Sequence, residues 1–248
     1  MEPMSCLSKV IAIKELTHDV KEIALELVHP PKVVFKAGQY IAIEVTEMRD
    51  GLPRQNNRPY SIVSPPEEDR VIKLCVNLVQ GGPGPSHLHA LDVGSELRFL
   101  HPFGYFTVNT GLPSCSGVET VLPLLFVATG TGIAPIRSMI EHLIHQKTER
   151  PMRLVWGLRH GRDLYYQDDF VTLSRIYPLL KTTTTLSQPS SDWPGAVGRV
   201  TTLLSREETQ PENLEAYLCG NMDMIREVRA ILLEKGLNKQ AIHFEKFY

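Results

Sequence analysis

The sequence predicts a two-domain protein, a small antiparallel β-barrel followed by an α/β domain on a parallel sheet. Three observations predict it. As far as Thr110 the chain reads as short β-branched runs separated by turn signals. From about Val121 strand-like and helix-like segments alternate, which argues for parallel strands joined by crossover helices. Between them Thr110–Thr120 is rich in Gly, Pro and Ser and reads as a seam. The expected domains are residues 1–112 and 121–248.

In the first part, Val10–Leu16 and Ile23–Val28 are strand-like, the former with clear alternation. Val33–Val45 continues the pattern, broken by Lys36-Ala37-Gly38-Gln39, a turn. Asp50-Gly51 and Ser64-Pro65-Pro66 mark further turns. Val71–Val79 is the next strand. Gly81-Gly82-Pro83-Gly84-Pro85 reads as neither helix nor regular strand, and Glu96–Leu100 closes the set. Some six short strands of this kind suit a small barrel. In the second part, Leu124–Ala128 is a continuous apolar run, as expected of a strand buried on both faces. A glycine turn and a helical stretch, Ile133–His145, follow. Met152–Trp156 is strand-like, Gln167–Ile176 helical, Leu179–Thr185 a threonine-rich strand and Arg199–Leu204 a short helix. Tyr217–Cys219 ends a strand, Met222–Lys235 is a helix, and Ala241–Tyr248 is extended.

Composition narrows the function. Of 248 residues 42 % are hydrophobic, enough to build a core. The formal net charge of −2 argues against a nucleic-acid partner. Cys6, Cys75, Cys115 and Cys219 lie far apart with no CxxC spacing, which excludes a local zinc ribbon or a cysteine-ligated iron–sulfur loop. His87, His89 and His101 have no further ligands at credible spacing, so no metal is expected. Met1–Lys9 lacks the pattern of a signal peptide. The longest apolar run, Val121–Ala128, falls far short of the roughly 20 residues of a membrane helix. The expectation is a cytoplasmic monomer without a membrane segment.

Two motifs carry chemistry. Ala128-Thr129-Gly130-Thr131-Gly132-Ile133-Ala134-Pro135 follows an apolar strand and opens a helix. A loop so placed offers backbone N–H groups and a positive dipole end to a diphosphate, and its glycines allow close approach. Pro135 is acceptable in the first turn of a helix. On its own the motif is equally an ordinary strand–helix turn, and it departs from GxGxxG because proline stands at the third glycine. Arg58-Pro59-Tyr60-Ser61, in the β part, offers a bidentate phosphate anchor, a flat ring for stacking and a hydroxyl donor. In isolation it is a strand with an exposed arginine.

Taken together, and in order with Gly81–Leu91, Pro102-Phe103-Gly104-Tyr105-Phe106, Cys219-Gly220-Asn221-Met222 and a Phe-Glu-Lys-Phe-Tyr end, these motifs make the chain resemble the ferredoxin–NADP reductase superfamily. The resemblance implies a flavin-binding barrel and a nicotinamide-nucleotide domain whose C-terminal tail returns to the flavin. It implies FAD as cofactor and NADP or NAD as hydride donor. Arg58 is then expected on the flavin diphosphate, Tyr60 on the isoalloxazine face and Ser61 near the flavin N5, with Pro59 between them. Val76, Asn77 and Leu78 would give backbone contacts, and Pro85 and Ser86 would touch the diphosphate. Thr131 falls where both the flavin and the incoming nucleotide are touched, Gly132 at the nucleotide diphosphate, and Cys219, Gly220, Asn221 and Met222 in the loop beside the nicotinamide. Tyr248 would cover the second flavin face. Ser61, Cys219 and Tyr248 are the expected catalytic residues. For the choice of nucleotide, a 2′-phosphate wants Arg or Lys and a free 2′-hydroxyl wants a carboxylate. Arg159, Arg162 and Asp163 offer both, with Arg159 the candidate phosphate contact.

The implied activity is electron transfer between NAD(P)H and a separate carrier through bound FAD, the carrier being a ferredoxin, a flavodoxin or an oxygenase component. Two other readings stay open on the sequence: a reductase of free flavin, and a non-catalytic nucleotide-binding subunit of a larger complex.

Overall fold

A computed structural model of the chain describes residues 4–49, 52–78, 83–108, 122–206 and 213–247. The chain forms two compact units. The first takes the residues up to Val108 together with Arg137–His142, and the second the remainder.

The first unit is a six-stranded antiparallel sheet. Its strands are β1 (Ser5–Glu15), β2 (Val20–His29), β3 (Tyr40–Arg49), β4 (Leu52–Ser61), β5 (Val71–Asn77) and β6 (Glu96–Phe103), in the order β4-β3-β6-β1-β2-β5. The ends of that order meet. Ile62, one residue past β4, bridges Leu74 of β5, and Val63 N–H donates to Lys73 O at 2.8 Å, so the sheet closes on itself. Alternate residues fill the interior: Ile23 and Leu25, Ile41 and Ile43, Ile72 and Leu74, Leu97 and Phe99 are all buried.

Two expectations for this unit are corrected. Val33–Phe35 is not strand. It is an irregular segment held by Val33 N–H on Asp69 O at 3.0 Å, with Val33 and Phe35 buried and Val34 exposed. And the Gly/Pro run does enter a helix: Pro83-Gly84-Pro85 open α1 (Pro83–His89). Prolines there cost nothing, because the N–H groups of a first turn have no partner within the helix. Before Arg58, β4 carries no strand signal, being polar and holding Pro53, with Pro59 further on. Its place at the end of the strand order, paired to β3 alone over its length, is where proline is tolerated.

The second unit is a parallel six-stranded sheet. Its strands are β7 (Leu124–Thr129), β8 (Met152–Leu158), β9 (Leu180–Leu186), β10 (Ala196–Val197), β11 (Glu215–Gly220) and β12 (Ile242–Lys246), in the order β10-β9-β8-β7-β11-β12. The helices are α2 (Ile133–His145), whose residues Arg137–His142 count with the first unit, α3 (Gln167–Ile176), α4 (Val200–Arg206) and α5 (Met222–Glu234). β7 is buried on both faces as its apolar run predicts. Leu125 and Val127 join the cluster that packs α4 and α5, and the Phe126 ring lies tilted against Tyr217 at 5.6 Å. From β7 the chain builds outward through β8, β9 and β10, then returns to lay β11 on the other side of β7. That reversal is the topological switch point, where the loops leaving two neighbouring strands part and open a crevice. Among the described residues no helix is long and apolar enough to cross a membrane.

Candidate functional site

In the first unit, the extended backbone of β4 sends Arg58 and Tyr60 to one face and Pro59 and Ser61 to the other. Arg58 and Tyr60 are half-buried, Pro59 is exposed and Ser61 is buried. The start of α1 lies against the Arg58–Tyr60 face. A methyl group at Gly84 would sit 2.7 Å from the Tyr60 hydroxyl oxygen and 3.0 Å from Arg58 Cγ, so only glycine lets the α1 backbone come this close. α1 is pinned from below by Leu88, wholly buried in the same core against which Tyr60 packs. Burying such a leucine contributes about 1.5–3 kcal/mol.

Burial pushes the Tyr60 phenol up from 10 to about 12, with the Arg58 cation acting in the opposite sense. Tyr60 is therefore a neutral, flat, amphipathic surface next to a guanidinium. Ser86 is exposed on α1, and Pro85 lies in its first turn. Of the three β5 positions, Val76 points into the core and the Leu78 N–H is engaged by Asp19 O at 2.7 Å. Antiparallel alternation turns the backbone groups of Asn77 away from β2, so it can offer them sideways. A cation, an uncharged aromatic face and a close-approach glycine suit a flat heterocycle bearing a diphosphate, and so fit FAD.

In the second unit the loops leaving β7 and β11 interlock at the switch point. Thr129 ends β7, and residues Gly130–Gly132 form a single 3₁₀ turn that runs into α2. A side chain at Gly132 would collide with the carbonyl oxygen of Cys219 and lie 2.8 Å from the Gly220 nitrogen. One at Gly220, whose φ is +148°, would collide with Thr129 Oγ1. The Asn221 N–H donates to that same Thr129 hydroxyl at 3.3 Å, while Asn221 Oδ1 accepts the Met224 N–H at 2.8 Å and caps α5, which opens at the half-buried Met222. The Phe247 N–H donates to Gly220 O at 2.9 Å and ties the chain's end to this loop. Gly130 differs from the other two glycines. Its φ is +52° and nothing stands within 4 Å of where its Cβ would be, so its outer side faces open space at the start of a 13-residue helix. An open, glycine-floored turn at the positive end of a helix suits a diphosphate.

Cys219 is wholly buried, and burial first, then the neighbouring Glu245 carboxylate, pushes its thiol well above the ordinary range. The sequence expectation of a catalytic role for it is narrowed accordingly. At neutral pH Cys219 is an uncharged thiol and not a thiolate.

Arg159 stands exposed just past β8, the strand next to β7, with its carbonyl accepting the Gln188 N–H at 2.8 Å. Asp163, the rival determinant, is committed to its own loop: Oδ2 accepts the His160 N–H at 2.8 Å, and Oδ1 stands 3.9 Å from Arg162 Nε. Thus Arg58 and Tyr60 are brought to Gly84, and Thr131 and Gly132 to Cys219, Gly220 and Asn221. Tyr248 lies outside the described residues, and its part as a ring cover remains an expectation of the sequence. Sequence reasoning missed Gly84 and Thr129. Both stood inside the quoted runs, but their roles are steric and depend on partners far along the chain.

Known proteins resemble both parts of the chain. Residues 8–108 match the family described as the oxidoreductase FAD-binding domain, and residues 126–230 the oxidoreductase NAD-binding domain. The chain is 30 % identical over 247 residues to ferredoxin–NADP reductase B of Sorangium cellulosum, covering 97 % of this chain and 96 % of that protein. It is 27 % identical to the reductase component of propane 2-monooxygenase from Gordonia sp., covering 97 % of this chain and 67 % of the relative. Among solved structures, the FAD/NAD-binding domain of nitric oxide dioxygenase from Vibrio cholerae superposes with a TM-score of 0.83 at 22 % identity, covering 98 % of each, a likeness of fold.

Proposed function

We propose that this chain, which belongs to the ferredoxin–NADP reductase superfamily, draws electrons from NADPH and delivers them to a separate ferredoxin. It is an FAD-dependent oxidoreductase with a nicotinamide nucleotide as its second cofactor. When bound, FAD supplies the exchange between a two-electron hydride donor and a one-electron acceptor. The observation that carries the reading is the likeness over almost the full length of both chains to a ferredoxin–NADP reductase.

The protein's own part is placement. Arg58 holds the flavin diphosphate, and the α1 start, with Gly84, Pro85 and Ser86, closes over it. Tyr60 stacks on the ring system, and Ser61 donates near N5. Neutrality of Tyr60 matters, because a phenolate there would oppose a ring gaining electrons. Asn77 contributes backbone contacts. The Gly130–Gly132 turn takes the NADPH diphosphate, and Cys219 to Met222 form the floor under the nicotinamide. Arg159 takes the 2′-phosphate. The preference for NADPH is supported by the engagement of Asp163 within its own loop, which leaves Arg159 and Arg162 as the outward-facing charges.

The test uses the protein as purified. It is expected to carry FAD, to bleach the visible flavin band on NADPH addition under nitrogen, and to reduce a ferredoxin faster than a flavodoxin or an oxygenase component. A colourless protein that turns over only with added flavin would establish the free-flavin reductase instead. Preference for a flavodoxin or an oxygenase component would reassign the acceptor.

A further inference from the structure

Trp156, in β8, is wholly buried, yet its polar atom has a defined task. Its indole Nε1–H donates to the carbonyl oxygen of Gly130 at 3.1 Å. The same oxygen accepts the backbone N–H of Ile133, so both of its lone pairs are used. The ring cannot turn away: Tyr165 packs edge-on at 4.8 Å and Phe170 at 6.0 Å. A tryptophan N–H in a core needs a partner, and here the partner is the one backbone unit of the loop held at positive φ.

The consequence follows from peptide geometry. In a trans peptide the C=O and the following N–H point in opposite directions. Drawing the Gly130 carbonyl inward onto the indole turns the Thr131 N–H away from the indole. Glycine at this point can rotate its peptide more freely than any other residue, so the Ile133 N–H alone holds the Gly130–Thr131 peptide by a single hydrogen bond, and the indole supplies the second.

We propose that Trp156 is the positioning residue of the coenzyme loop, its indole N–H fixing the Gly130–Thr131 peptide so that the Thr131 N–H is aimed at the coenzyme diphosphate before the coenzyme arrives. The inference rests on the placement of the NADPH diphosphate at Gly130–Gly132 given above. Trp156 touches no substrate. It acts through Gly130, and it lowers the ordering cost of binding by fixing in advance a peptide that would otherwise be ordered by the ligand.

The test is Trp156→Phe in the FAD-loaded protein, which keeps an aromatic ring between Tyr165 and Phe170 and removes the donor. The dissociation constant for NADP⁺ is expected to rise about three- to tenfold, the worth of one hydrogen bond. The KM for NADPH should rise by the same factor, with kcat within about twofold and FAD content unchanged. The factor should be equal for NADH and NADPH, because the diphosphate is common to both. An effect on kcat alone, or loss of one nucleotide only, overturns the proposal, as does unchanged binding in a folded variant. If Trp156→Phe does not fold, the wild type decides. Of the two indole N–H resonances, that of Trp156, assigned with Trp193→Phe, should move on NADP⁺ addition, and an unmoved resonance overturns the proposal. Wild-type protein that binds neither NADP⁺ nor NADPH would instead sink the placement on which the inference rests.

Discussion

The hydroxyl of Thr129 occupies the space that a side chain at Gly220 would need. That one exclusion locks the loop after β7 to the loop after β11, because the same hydroxyl also accepts the Asn221 N–H. Gly220→Ala meets two costs at once. Its φ of +148° lies outside the regions open to alanine, a strain of about 1–3 kcal/mol, and its methyl collides with Thr129 Oγ1. The variant is expected to melt several degrees lower and to lose at least tenfold in kcat/KM for NADPH while keeping its FAD. Adding Thr129→Ala should restore part of the stability but not all, since it relieves the collision and not the backbone strain. Strictly additive losses in the double-mutant cycle would show that the two residues do not share this space.

On the flavin side the corresponding pair is Arg58 and Gly84. Arg58→Ala removes a charge-assisted contact to phosphate, and FAD affinity should fall about 10- to 100-fold, read as flavin retained through gel filtration. Gly84→Ala keeps the charge but thrusts a methyl at the Tyr60 hydroxyl, 2.7 Å away, and at the Arg58 stem. It should therefore also lose flavin, with an altered visible band, whereas Ser86→Ala on the exposed side of the same helix should lose much less. Equal retention in all three variants would remove this face from the flavin site.

What the sequence could and could not disclose follows from how each signal is encoded. The Gly130 loop was legible because strand, turn and helix start are contiguous, and the apolar run of β7 announces burial on both faces. β4 was legible only at its end, Arg58–Ser61: Pro53, Asn56 and Asn57 look like loop, and only its place at the end of the strand order makes the prolines acceptable. The start of α1 was misjudged for the reverse reason, since Pro83 and Pro85 forbid a helix interior but not a first turn. Steric partnerships such as Gly84 with Tyr60, or Gly132 with Cys219, leave no local trace at all. The same holds for Trp156, whose residue type says that it is core but not which carbonyl it holds.

Tyr60 gives a pH dependence whose sign can be stated. Its phenol is raised from 10 in the unfolded chain to about 12 in the folded one. Below pH 10 both states keep the proton, and Tyr60 adds no slope to stability. Between about pH 10 and 12 the unfolded phenol ionises while the folded one does not, so stability falls as pH rises. Tyr60→Phe should flatten that slope, and the difference between the two phenolate titrations should be one group with a midpoint near 12. A midpoint near 10 would mean that the ring stands in water and presents no dry face to a flavin.

The choice of nucleotide turns on Arg159 against Asp163. Both follow β8, where the second strand of a nucleotide fold presents its ribose determinant. Geometry separates them. Asp163 caps its own 3₁₀ turn through the His160 N–H, so that reaching out to a 2′-hydroxyl would cost it that hydrogen bond. Arg159 is fixed at its backbone by Gln188 and exposed at its side chain, which suits a charge that meets a phosphate on arrival. Arg159→Ala should lower kcat/KM for NADPH about 10- to 100-fold and that for NADH by less than about twofold, an exposed charge-assisted contact being worth roughly 1.5–3 kcal/mol. The loss should shrink as salt is raised, because the wild-type advantage is screened. Asp163→Asn should harm both nucleotides alike and modestly, by loosening the loop. If instead Asp163→Asn selectively abolishes use of NADH, the carboxylate reads the ribose and this chain is an NADH enzyme.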